Sequence, residues 1–135
     1  MKTKQLTNLS MLAGRAMLGG MFIMAGFGKI SGYAGTVGYM EAFGLPGLLL
    51  PAVIALEIGG GLAILFGLQA RLAALALAGF TVMAAVIFHS DFSQPMQGIL
   101  FSKNIAIAGA FLVLAAQGAG EWSLDKLRLA RRVAA

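Results

Sequence analysis

An all-α integral membrane protein built as a four-helix bundle is the fold class this sequence predicts, on three observations. Of the 135 residues, 59% are hydrophobic and only 11% charged, too apolar a mixture to be buried in one small soluble core. Four segments each offer about twenty mostly apolar residues, enough to cross a bilayer at a rise of roughly 1.5 Å per residue. Lysine and arginine gather at the chain ends and beside the apolar segments. A net charge of +5 would suggest nucleic acid in a soluble protein, but this placement points to orientation against anionic lipid, with no nucleic-acid partner. Cysteine is absent, which excludes disulfides, thiolate metal sites and thiol relays in this chain. Any electron chemistry would need a bound cofactor or a partner.

The predicted spans are Leu9 to Gly28, Leu48 to Leu68, Arg71 to Phe88 and Ile99 to Gln117. Lys2 and Lys4 ahead of an apolar run have the outline of a secretory signal. That run continues for about twenty residues, contains Arg15 and precedes further spans, so it reads as a retained first helix. In the connection Lys29 to Gly47, Thr36 to Phe43 has helix-forming composition, Tyr33, Tyr39 and Phe43 suit a membrane interface, and Gly44 and Pro46 end the segment. The second and third spans join through Gln69 and Ala70 as a tight antiparallel hairpin. In the connection His89 to Gly98, Ser93-Gln94-Pro95 resembles a helix start, with Ser93 as N-cap, so the fourth helix can begin as early as Gln94. After Gly118 and Gly120, residues 122–135 interleave Trp122, Leu124, Leu127 and Leu129 with Lys126, Arg128, Arg131 and Arg132, the pattern of a helix lying on the lipid surface.

Lys2, Lys4, Arg71, Lys126, Arg128, Arg131 and Arg132 fall on one side of this even-numbered bundle. The positive-inside rule makes that side cytoplasmic, with both termini inside a bacterial inner (plasma) membrane and residues 1–135 forming a single domain. Glycine clusters at Gly19-Gly20, Gly26, Gly28 and Gly59-Gly60-Gly61 let helix backbones approach closely in lipid, and two small hairpins leave area for a homodimer.

Glu57 is the most informative residue. A carboxylate near the centre of a membrane-length segment costs about 2.5–3.5 kcal/mol on insertion scales unless it is paired or faces water or protein. Arg15 lies roughly 7 Å from it in depth, within reach of an extended guanidinium, so an Arg15–Glu57 ion pair is expected, either fixing helix register or serving chemistry. Snorkelling of Arg15 to the headgroups is the alternative. Lys103 meets Glu57 if the fourth helix starts early and turns outward if it starts late, and Asn104 beside it has no reason to face lipid. His89 either favours a helix C-terminus, with Asp91 capping the next segment, or relays protons at the mouth of a polar pocket. One histidine cannot supply bis-histidine haem ligation, and the eight methionines suit gap filling better than ligation, so neither haem nor metal is expected. Gly26 to Gly32 lacks both the preceding strand and the spacing of a phosphate loop.

These residues carry a resemblance. Gly14-Arg15-Ala16, Phe22 to Lys29, Tyr39-Met40, Gly44-Leu45-Pro46, Glu57 to Gly61, Gly67 to Arg71 and Lys103-Asn104 together resemble the DoxX family of small four-helix membrane proteins, over almost the whole chain. That family includes proteins similar to the membrane subunits of thiosulfate:quinone oxidoreductase, and mycobacterial members in an oxidoreductase complex with a sulfurtransferase and superoxide dismutase. Arg15, Glu57, Lys103 and Asn104 fall at the family's polar positions. The resemblance implies a membrane component of a quinone-linked oxidoreductase system, with soluble redox enzymes as partners. Its intramembrane pocket of Arg15, Glu57, Lys103, Asn104 and His89 would take a quinone or small anion, with no catalytic residue assigned. A non-enzymatic scaffold or small-solute carrier is the competing class.

Overall fold

The computed structural model describes residues 1–135. Its long helices follow from the apolar runs. In lipid a chain must satisfy its backbone polar groups internally, which helices do within each segment. The first, α1 (Lys2–Ser31), is followed by a short α2 (Tyr33–Ala42) and, after a single 3-10 turn (Gly47–Leu49), by α3 (Leu50–Phe66). Then come α4 (Ala70–Phe88), α5 (Pro95–Gln117) and α6 (Leu124–Ala134). Residues 2–31, 47–66, 70–88 and 95–117 are each long and apolar enough to cross a membrane, giving four spans. The two termini lie at the same end of this up-down bundle, and α2 lies at the other.

Several boundaries differ from the sequence expectation. α1 begins about two turns before the expected start and continues through Gly28 to Ser31, because Gly26 and Gly28 are tolerated inside a helix that packs on its neighbour. The short helix after it begins at Tyr33 rather than Thr36. α5 starts at Pro95 behind Gln94 in extended conformation, the early alternative. Ser93 does not cap it; its own hydroxyl donates to Asp91.

The α3–α4 turn is defined by local chemistry. Gly67 adopts the left-handed conformation (φ 67°), its N–H reaches Ile64 O and that of Leu68 reaches Ala63 O, the Schellman closure that glycine makes cheap. Gln69 is also left-handed (φ 46°), and its N–H and that of Ala70 donate to the two carboxylate oxygens of Asp125 at 2.7 and 3.0 Å. An acid from α6 thus caps the start of α4.

α1 packs chiefly on α3, and α4 chiefly on α5. The α1–α3 contact is backbone on backbone: a Cβ at Gly61 would stand 2.7 Å from Gly19 O, and one at Gly19 2.6 Å from Gly61 O. Phe22, Ile64, Leu77 and Phe111 fill the centre with Ala74, Ala78 and Ala108, Phe22 meeting Phe111 edge-on at 5.4 Å between ring centroids. Only 22 of the 135 residues are buried, while large apolar side chains such as Met24, Leu72, Met83 and Val113 stand exposed along the spans. Water would not tolerate that exterior, so lipid covers it.

Candidate functional site

Gly26 sets up the site. A Cβ there would meet Ile58 Cγ1 at 2.5 Å and Glu57 Cβ at 3.4 Å, so its absence lets the last turns of α1 lie against α3 beside Glu57. One turn further along, Lys29 reaches across and its Nζ donates to Glu57 Oε1 at 2.9 Å. The carboxylate side chain is 4% exposed and the lysine 29%. Glu57 Oε2 is buried with no hydrogen-bond partner within the chain. An acceptor left unpaired in this way costs about 1–3 kcal/mol, more when charged, and marks a place where a further group belongs.

Both residues line a cavity of about 460 Å³ whose wall is mostly apolar. Its apolar lining comes from Phe22 of α1, Met40 of α2, Leu45, Leu49 and Val53 before and within α3, and Phe80, Met83, Ala84, Ile87 and Phe88 of α4. Its polar lining is sparse: Lys29, Glu57, Thr36, Thr81, His89 and Asn104, with Tyr39 amphipathic between them. Thr81 spends its proton on Leu77 O, which leaves its oxygen as an acceptor toward the cavity. Tyr39 of α2 stacks on Phe88 of α4 (centroids 5.1 Å, planes 20° apart), and Phe43 abuts both. This aromatic trio ties the interfacial helix to the bundle at the cavity's edge. His89 sits at the same edge, at the C-terminus of α4, with Nδ1 2.8 Å from Gln97 Oε1.

Of the residues expected at this site, Glu57, Asn104 and His89 converge on the cavity, whereas Arg15 and Lys103 do not. Arg15 is corrected from an ion pair with Glu57 to a carbonyl clamp. Its Nε donates to Ile64 O, Nη2 to Leu65 O, and Nη1 to Ala119 O and Trp122 O, at 2.6–3.1 Å. The physical reason is that the last carbonyls of α3 lack intrahelical partners and sit at its negative end. Glu57 lies seven residues, about 10 Å, away along the axis. Nor does Arg15 snorkel, being 2% exposed. Lys103 is corrected from inward to outward: α5 does start early, but successive helical residues do not share a face, so Asn104 lines the cavity while Lys103 is exposed and unpaired.

Lys29 is the residue the sequence reading placed in a connecting loop and did not join to Glu57. A signal for it exists. Arg15, Gly19, Phe22 and Gly26 are the buried residues of α1, spaced four, three and four, and the next step of three is Lys29.

Four spans, a mostly lipid-facing exterior and a buried ion pair beside an apolar cavity define a multi-pass membrane protein with an intramembrane polar site. The profile of the DoxX family matches residues 10–90, and the chain belongs to that family. Among its relatives in Escherichia coli K12, the Inner membrane protein YqjF is 54% identical over 89 residues, covering 66% of this chain and 68% of that one. The Inner membrane protein YphA is 39% identical over 95 residues, covering 65% and 68%. No solved structure matches the chain. With these relatives and its four spans, the protein is a multi-pass protein of the bacterial inner membrane. The family match includes Lys29, Glu57 and His89, while Asn104 lies beyond it.

Proposed function

We propose that the protein is the membrane component of a quinone-linked redox system, and that its cavity holds the ring of a quinone or quinol against the Lys29–Glu57 pair. The observation that carries this reading is the unpartnered Oε2 of Glu57 on the wall of an otherwise apolar cavity. The cavity volume falls in the ordinary range for small-molecule sites, about 300–1,000 Å³. Phe22, Phe80 and Phe88 offer flat apolar surface to a ring. Lys29 Nζ donates one hydrogen to Glu57 and keeps two for a carbonyl oxygen, while Glu57 Oε2 accepts from a hydroxyl. Donor and acceptor side by side match both redox forms of such a ring. A bound quinone would supply two-electron, two-proton chemistry. The electrons would come from a redox enzyme partner, because this chain has no thiol to carry them. Glu57 at the cavity wall and His89 at its edge are the groups that would hold protons on the way to solvent.

Titration calorimetry of the purified protein with a short-chain ubiquinone analogue tests this. Expected are saturable binding and a loss of at least tenfold in Glu57→Gln, with His89→Gln folded and still binding. Absence of binding to the unaltered protein would refute the reading.

A second reading, a non-enzymatic scaffold, is favoured by the closed Lys29–Glu57 pair and the interlocked Gly19–Gly61 contact, both of which give rigidity. It predicts that Glu57→Gln lowers stability with no ligand signal to lose.

A further inference from the structure

At the opposite end of the bundle from Lys29, a second cleft of about 720 Å³ opens between α6 and the ends of α4 and α5. Arg71 stands on one side of it, and Arg128 and Arg132, one turn apart on the same face of α6, on the other. Lys126 also borders the cleft but is paired with Glu121 at 3.0 Å. The acid inside it, Asp125, has both oxygens committed to the Gln69 and Ala70 amides. Arg71 gives Nη1 to Ala115 O and Ala116 O and Nη2 to Gln117 O, keeping its Nε hydrogen. None of the three arginines has an acidic partner. The cleft is therefore cationic on balance: Arg71 is held by its carbonyl bonds, Arg128 and Arg132 stand exposed with their guanidinium donors free, and the one carboxylate lining it already accepts from two amides.

Its position adds a second argument. α4 begins at Ala70 and α5 ends at Gln117, so the cleft lies where two spans leave the hydrocarbon, at headgroup depth. Leu72 and Leu129 border it, and Leu72 continues through Leu75 as an exposed apolar track up α4, the two being 65% and 54% exposed. A ligand fitting both parts carries a phosphate and an acyl chain joined end to end.

We propose that this cleft is a binding site for the headgroup phosphate of an anionic phospholipid, held by Arg71, Arg128 and Arg132 with one acyl chain along Leu72 and Leu75. Guanidinium forks match phosphate oxygens bidentately. The site thereby anchors α6, tying the C-terminal helix to the membrane surface through a particular lipid as well as through general basicity.

The test is native mass spectrometry of the full chain released from nanodiscs containing equal phosphatidylglycerol and phosphatidylcholine. The expected result is retained phosphatidylglycerol over phosphatidylcholine, falling roughly fivefold for each arginine removed, hence well over tenfold in Arg128→Gln/Arg132→Gln. Those side chains form no ion pair, so far-ultraviolet circular dichroism should be unchanged, which separates lipid loss from unfolding. Arg131→Gln, on α6 but outside the cleft, should retain the lipid. An equal loss in Arg131→Gln would overturn the proposal in favour of a diffuse basic surface. Retention of inorganic phosphate without lipid would overturn it in favour of a free-anion site, and equal retention of both lipids would overturn it outright.

Discussion

Breaking the Lys29–Glu57 pair from its two sides should give unequal results. Lys29→Met leaves a carboxylate 4% exposed with neither oxygen paired, and orphaning one member of a buried ion pair typically costs about 3–5 kcal/mol. Glu57→Gln leaves a lysine 29% exposed, near the end of α1, whose flexible stem lets the ammonium turn toward the interface. That side should cost only the charged hydrogen bond, about 1.5–3 kcal/mol. Lys29→Met/Glu57→Gln has no stranded charge and should lie near Glu57→Gln alone, so the coupling between the residues equals the cost of Lys29→Met, about 3–5 kcal/mol. Reversible unfolding in mixed detergent and dodecyl sulfate micelles, followed by circular dichroism, measures all four corners of the cycle. The reasoning is refuted if Lys29→Met costs less than Glu57→Gln, or if the double variant costs the sum of the singles.

Three further outcomes follow from particular contacts. In Gly61→Ala the new methyl would stand 2.7 Å from Gly19 O and 2.8 Å from Ile23 Cγ1, and overpacking against backbone should cost about 1–3 kcal/mol. Gly59→Ala, with nothing within 4 Å, should be neutral or gain up to about 1 kcal/mol from helix propensity; the same unfolding assay compares them. Asp125→Ala removes both acceptors from the start of α4 and should cost about 1–2 kcal/mol, visible also as faster amide exchange at Gln69 and Ala70. Lys103→Gln should change neither stability, within about 0.5 kcal/mol, nor quinone-analogue affinity, since the side chain is exposed and unpaired.

The bundle was legible because each span is an almost unbroken apolar run, and the α3–α4 hairpin because so few residues separate two such runs; that α3 already closes at Gly67 and α4 already starts at Ala70 was not legible. Glu57 was legible because a lone carboxylate in such a run has few explanations. Its partner was not. Gly26, Gly28 and Gly32 resemble helix-stop signals, and they concealed the fact that α1 continues and carries Lys29 on its buried face. Arg15 was recognised as buried but given the wrong partner, because its partners are carbonyl oxygens at a helix end and in a loop, and backbone acceptors leave no trace in residue types. For Lys103 the early start of α5 was foreseen as one alternative and the facing was wrong; a single step around α5 separates it from Asn104, and only packing decides which of two adjacent residues faces inward.

The charged side chains that the fold ties down therefore do two different kinds of work. Arg15, buried, and Arg71, exposed, meet carbonyl oxygens at the terminal end of the bundle, where the last turns of α3 and α5 run short of backbone donors; the bonds of Arg15 close on the protein itself and explain why a charge sits there. The Lys29–Glu57 pair does not close. It could have been built with both carboxylate oxygens satisfied, as Asp125 is by two amides, and a pair needed only for rigidity gains from being so built. Instead one oxygen faces an apolar cavity unpaired, at a cost the fold carries without return unless something with a hydrogen to donate enters. That asymmetry between the two ends of the bundle is the strongest physical reason to seek a ligand beside Glu57 and to treat Arg15 as framework.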